Sequence, residues 1–159
     1  MKALIRVFPM VLAGLLLCVA IGVAQGGGKA IVWQAGDVKW TPSPAMKGLS
    51  IAPLWGDPSK GAYGALKKVT AGTEFGWHTH SFDQKVVGIS GTFDFQQEGD
   101  TVKELGPGAY TMVPAGVKHT AKCRAGSDCM YFEEQPGMSD YKPATMAAKP
   151  PAKKKMKKM

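Results

Sequence analysis

The sequence predicts an all-β domain of the double-sheet jelly-roll kind, and three observations predict it. Outside the first two dozen residues no stretch of useful length repeats its apolar positions every 3.6 residues, so no amphipathic helix is expected. Short runs of alternating or β-branched residues recur instead, divided by Gly, Pro, Asp and Ser. Roughly ten or eleven such runs fall in one small domain, a density that suits two sheets packed face to face.

In chain order, residues 31–33 form a first possible strand, and 40–44 and 48–55 follow. Gly56, Asp57, Pro58 and Ser59 then make a turn, since each favours turn backbone over a ladder position. Residues 62–70 return, and a segment holding two histidines leads into 85–90 and 92–97, with Gly91 at the break. Glu98, Gly99 and Asp100 form a hairpin tip before 101–105. The Gly106-Pro107-Gly108 turn opens 109–113, and the Pro114-Ala115-Gly116 turn opens 117–123. Residues 129–134 close the set. Gly72, Gly108 and Gly116 sit where tight turns need positive φ or close backbone approach.

All three histidines lie in two short stretches, 72–84 and 108–119. His78 and His80 are one residue apart, so on a strand both rings project from one face. Gly72, His78, His80 and Gly91 match the spacing of the first motif of the cupin superfamily, and Gly108, Pro114, Gly116 and His119 match that of its second. Over residues 69–123 the chain therefore resembles the cupins, in particular small single-domain cupins of generally unassigned activity. The resemblance implies a jelly-roll barrel in which the strand of His119 lies beside that of His78 and His80. Two positions depart from the family pattern: Gln84 stands in place of a metal-binding glutamate, and Cys123 in place of an asparagine.

Two imidazoles on one face and a third from a distant strand suit one divalent transition metal, because neutral imidazole is a common donor. By resemblance Gln84 takes the fourth place, or leaves it open as catalytic sites do. Four neutral donors would keep the full +2 charge of the ion, binding it less tightly but drawing anionic or enolate-like ligands more strongly. Zn, Cu, Ni, Fe and Mn all accept such a set, and the lack of a carboxylate tilts the choice toward Zn, Cu or Ni. Asp83 alternates away from Gln84, and Cys123 lies about 13 Å along the strand from His119, too far to share the ion. Trp77, Phe82, Tyr110 and Met112 are candidates to line the pocket, and Tyr63, Lys67 and Glu133 are polar positions that could reach it.

Residues 7–24 are uncharged and apolar behind Lys2 and Arg6, and Gly22-Val23-Ala24 offers small residues to a signal peptidase. A signal cleaved near Ala24, and hence a periplasmic or secreted protein with no membrane span after cleavage, is expected. An uncleaved anchor is the rival, disfavoured by Pro9, Gly14 and Gly22. Residues 142–159 carry seven lysines and no acid, a disordered basic tail. The domain between them, 25–141, has eleven basic and twelve acidic side chains, so its charge is near zero and no specific nucleic-acid surface is expected. Cys123 and Cys129, six positions apart across a turn, are expected to form a hairpin disulfide in an oxidising compartment.

Two functions follow from these residues. One is a small metal-dependent enzyme, dioxygenase- or isomerase-like, acting on a compact oxygen-rich substrate. The other is a non-catalytic envelope protein that binds a small molecule or metal, since the sequence offers no positioned acid or base. There is no Ser-His-Asp arrangement, phosphate loop or dinucleotide fingerprint. The resemblance also allows a homodimer.

Overall fold

A computed structural model of the chain describes residues 29–145. The expected signal segment, and the tail beyond residue 145, lie outside these residues. The chain divides into two compact units, Met1–Val32 and Trp33–Met159. The second holds every described strand, and no helix among the described residues is long and apolar enough to cross a membrane. Residues 31–33, expected as a strand, do not form one. A β-branched run becomes a strand only where a sheet edge accepts it.

Eleven strands form among the described residues: β1 (Thr41–Pro42), β2 (Leu49–Gly56), β3 (Tyr63–Val69), β4 (Glu74–Thr79), β5 (Gln84–Ser90), β6 (Phe93–Gln97), β7 (Lys103–Leu105), β8 (Tyr110–Val113), β9 (His119–Cys123), β10 (Cys129–Gln135) and β11 (Lys142–Pro143). They make two antiparallel sheets, six-stranded in the order β1-β2-β3-β10-β5-β8 and five-stranded in the order β11-β4-β9-β6-β7. The all-β, two-sheet expectation holds, and the strands expected from 48 to 134 appear with edges moved by a residue or two.

Alternation decides what each strand sends inward. On β10 the buried positions are Cys129, Tyr131, Glu133 and Gln135, with half-buried residues between them. On β3 Tyr63, Ala65, Lys67 and Val69 are buried, with Gly64 buried between the first two. The apolar core is built from Leu49, Val69, Phe75, Phe93, Tyr131 and the two cysteines. Phe93 meets Tyr131 edge to face at 5.5 Å between ring centroids. Each large side chain buried here contributes about 1.5–3 kcal/mol.

Cys123 and Cys129 are joined by a disulfide with a Cα–Cα separation of 5.9 Å. The expected pairing forms, but not across a hairpin as the sequence suggested, because β9 belongs to the smaller sheet and β10 to the larger. It ties one sheet to the other inside the core. Closing so short a loop contributes about 2 kcal/mol on the loop-entropy argument.

Two local features aim the histidines. At Gly116, φ is +77°, which a residue with a Cβ rarely adopts, and its N–H donates to the carbonyl of His80 at 2.9 Å. Ala115 N–H donates to Asp83 Oδ1 at 2.9 Å, so the turn into β9 is clamped to the loop after β4. The second feature was not expected. Lys142 and Pro143, the first two residues assigned to the solvated tail, pair with Thr79 and His78 as edge strand β11. The boundary placed after Tyr141 therefore falls within a folded segment. A proline suits the position, since an edge strand need not donate on its outer side.

Candidate metal centre

On β4 the register slips between Phe75 and His78: Phe75 faces Ala121 of β9, and His78 faces His119. Gly76 and Trp77 of β4 thus oppose the single residue Thr120 of β9, a bulge. It sends Phe75 and His78 inward together. His80, two residues on, is buried on the same side, as period-two alternation requires.

The three imidazoles converge. Ring centroids lie 4.2 Å apart for His78 and His119, 4.8 Å for His78 and His80, and 5.2 Å for His80 and His119. One ligating atom from each falls within 4.8 Å of the others, so the group can hold a metal ion. Each Nδ1 donates to a backbone carbonyl: His78 to Gly76 at 2.7 Å, His80 to Asp140 at 2.6 Å and His119 to Val117 at 3.0 Å. A carbonyl only accepts, so Nδ1 carries the proton in all three rings and Nε2 carries the lone pair. His80 Nε2 is buried and has no hydrogen-bond partner in the structure. Burial pulls the His78 pKa down to about 4, with a counter-pull from the Gly76 hydrogen bond and a further depression from His119 and His80. Burial lowers that of His119 too. Fixed ring orientations and an orphaned acceptor are what a transition metal requires of its donors.

Gln84 opens β5 on the facing sheet and is buried. Its Nε2 donates to Glu133 Oε2 at 2.7 Å, which fixes the amide orientation and leaves Oε1 as the atom able to face an ion. Glu133 is wholly buried and also accepts from Tyr63, Lys67 and Gln135. Desolvation would raise its pKa, but the Lys67 charge and the Lys67 and Tyr63 hydrogen bonds outweigh it and hold the group ionised. Burial, helped by the Glu133 charge, drives the Tyr63 hydroxyl the other way, well above its ordinary value.

Residues 28–138 match the model of the ChrR cupin-like domain. The chain belongs to that family. Among solved structures, the polyketide cyclase RemF from Streptomyces resistomycificus is 16% identical, with a TM-score of 0.62 over 75% of this chain and 88% of its own. An RmlC-like cupin from Ralstonia eutropha is 21% identical, with a TM-score of 0.57 over 69% of each chain. The DMSP lyase DddQ from Ruegeria pomeroyi is 20% identical, with a TM-score of 0.54 over 64% of this chain and 57% of its own. At such identities the likeness concerns the fold. No curated protein matches by sequence.

In this cupin a cavity of about 200 Å³ lies against the three histidines and Gln84, walled otherwise by Lys67 and mostly apolar side chains. None of the four residues expected to line it does so. The bulge puts Phe75 in the wall where Trp77 was expected. Phe82 turns its ring onto Gly137, where a Cβ would come within 2.4 Å of it. Tyr110 and Met112 point out from β8 and are exposed, while Ala109 and Thr111 face the cavity. Asp83 caps the Pro114 turn and is not part of the site.

Sequence reasoning missed the segment from Ser139 to Tyr141, which closes one side of the cavity. Tyr141 stacks on His78, with centroids 4.5 Å apart and planes 23° from parallel. The Asp140 carboxylate accepts from Ser81 N–H at 3.0 Å and from its hydroxyl at 2.6 Å, holding the Asp140 carbonyl on His80. An aromatic after Ser-Asp was the one visible signal, and it has no periodicity to read.

Proposed function

We propose that this cupin is a metal-dependent enzyme acting on a small oxygen-bearing substrate in the cavity between its sheets. The observation that carries the reading is the trio of buried imidazoles lining the cavity, each with Nδ1 spent on a backbone carbonyl, which leaves Nε2 as the nitrogen for a ligand. His78, His80 and His119 would hold the ion, with the Gln84 carbonyl oxygen as fourth donor. A divalent transition metal in this neutral set supplies a Lewis acid of undiminished charge. The apolar wall excludes water from that charge, and the Asp140 and Tyr141 segment limits access from one side. Dioxygenase- or isomerase-like chemistry on an enol-forming substrate is the class this suits. That solved structures of the same fold are titled as a cyclase and a lyase supports its capacity for such sites.

A specific observation favours a second reading, non-catalytic binding. The buried acid nearest the histidines, Glu133, has both oxygens committed to neighbouring donors, and Asp140 is committed to Ser81. Neither is free to shuttle a proton. For either reading we place the protein outside the cytoplasm, with the signal-like residues 1–24 and the disulfide as support.

The test is elemental analysis of the exported form, purified without chelator or affinity histidines. About one equivalent of a transition metal is expected, lost in His78→Ala and His119→Ala. Oxygen uptake or isomerisation with small diketones, phenols or keto acids should disappear in the same variants. A metal-free protein that takes up no ion on titration would end the proposal, and stoichiometric metal with ligand binding but no turnover would select the second reading.

A further inference from the structure

Of the residues lining the cavity, Lys67 alone carries a fixed positive charge. It comes from β3, and only 6% of it is exposed. Its partner Glu133 lies behind it, out of the cavity, as do Tyr63 and Gln135. An ammonium has three N–H donors. Among the described residues Glu133 is its one hydrogen-bond acceptor. The Glu133 charge is meanwhile shared with donors from Tyr63, Gln135 and Gln84, so the carboxylate is saturated and the ammonium is not. Burying an ion pair is costly, and of this one only Lys67 lines the void. The remaining wall is mostly apolar, with Met46, Leu49, Ile51, Phe93, Phe95 and Leu105 among its members, and its one carboxylate, Asp140, is engaged by the Ser81 hydroxyl and by Lys142. Its volume of about 200 Å³ is below the roughly 300–1,000 Å³ typical of drug-sized ligands.

We infer that Lys67 is an anion-binding residue of this cavity, and that the ligand is a small monoanion with an apolar ring or short chain and one carboxylate or enolate-type oxygen. The inference rests on the reading of the cavity as a ligand site and names the class of ligand. Size limits the body to about one ring. The apolar wall selects against sugars and phosphates, whose many polar groups would be stranded.

Calorimetric titration of the full chain, stripped of metal with EDTA, separates Lys67 from any bound ion. Lys67 is the one lysine or arginine of the wall, so a titration at about pH 8, above the ordinary imidazole range, reads its contribution. Benzoate, 4-nitrophenolate and neutral benzamide serve as probes that share an aromatic ring. At least one anion should bind about tenfold tighter than benzamide, and which anion prevails tells a carboxylate from an enolate-like oxygen. Equal affinity for benzamide, or no binding of either anion, overturns the inference. Lys67→Met alone would strand Glu133, so the variant of choice is Lys67→Met with Glu133→Gln, its fold checked by circular dichroism. The preference should vanish there and persist in Lys67→Arg, and a preference that survives in the double variant also overturns the inference. Should the double variant not fold, the comparison of probes on the native chain decides. Anion preference without turnover removes the enzyme reading and leaves this inference standing, whereas turnover without anion preference does the reverse.

Discussion

Gln84 is the residue at which this chain departs most informatively from the cupin pattern, and Glu133 explains the departure. Its amide nitrogen lies 2.7 Å from Glu133 Oε2. A glutamate at 84 would bring two carboxylates to that distance, and they could not both ionise. The negative charge that the pattern places at 84 is instead held one strand over, neutralised by Lys67. Gln84→Glu should therefore destabilise the metal-free protein by about 1–3 kcal/mol near neutral pH, through a buried acid left without its donor. The carboxyl pKa is raised in the folded state, so the loss grows as pH rises through that value and shrinks in acid. Thermal melts at about pH 5 and pH 8 check the sign. An unchanged melting temperature at the higher pH would mean that the Gln84–Glu133 contact does not govern the choice of residue.

At the scale of elements, alternation made much of the site legible and single insertions hid the rest. His78 and His80 could be placed on one face because a strand repeats every two residues, and the turn glycines before β9 could be read from their spacing. Trp77 could not, since one extra residue on β4 exchanges faces and leaves no mark in composition. On β8 the sequence Ala-Tyr-Thr-Met reads most naturally with its large residues inward. The opposite holds, because the space inside is a cavity and small side chains leave room for it. The segment from Ser139 to β11 was hidden for another reason: its pairing with β4 is a contact between distant parts of the chain, and its own residues look like the start of a tail. Yet it supplies the acceptor for His80 and the ring over His78. A chain ending at Met138 should keep its far-ultraviolet spectrum and bind its metal about 10–100-fold more weakly, the usual cost of losing partners that orient ligands. Competition against a chromophoric chelator measures this, and equal affinity would show the segment to be dispensable.

At the scale of the whole molecule, a ring of buried bases makes stability depend on pH. Burial depresses the pKa of His78 to about 4 and lowers that of His119. In the unfolded chain both titrate near the ordinary 6.5. Between these values the unfolded state binds more protons, so the metal-free protein should lose stability as pH falls from about 6.5 toward 4, with no further change from these groups at neutral or higher pH. Melting temperatures of the chelator-treated protein across that range provide the check. His78→Phe should flatten the slope, and a curve of equal steepness in that variant would assign it elsewhere.

The bond between Cys123 and Cys129 has a consequence for how the two sheets breathe. It fastens them at the far end of β9, about 13 Å along the strand from His119. Like the spine of a book, it keeps that end of the two sheets together, so reduction should loosen the sheets there before it disturbs the ring of His119, four residues along the strand.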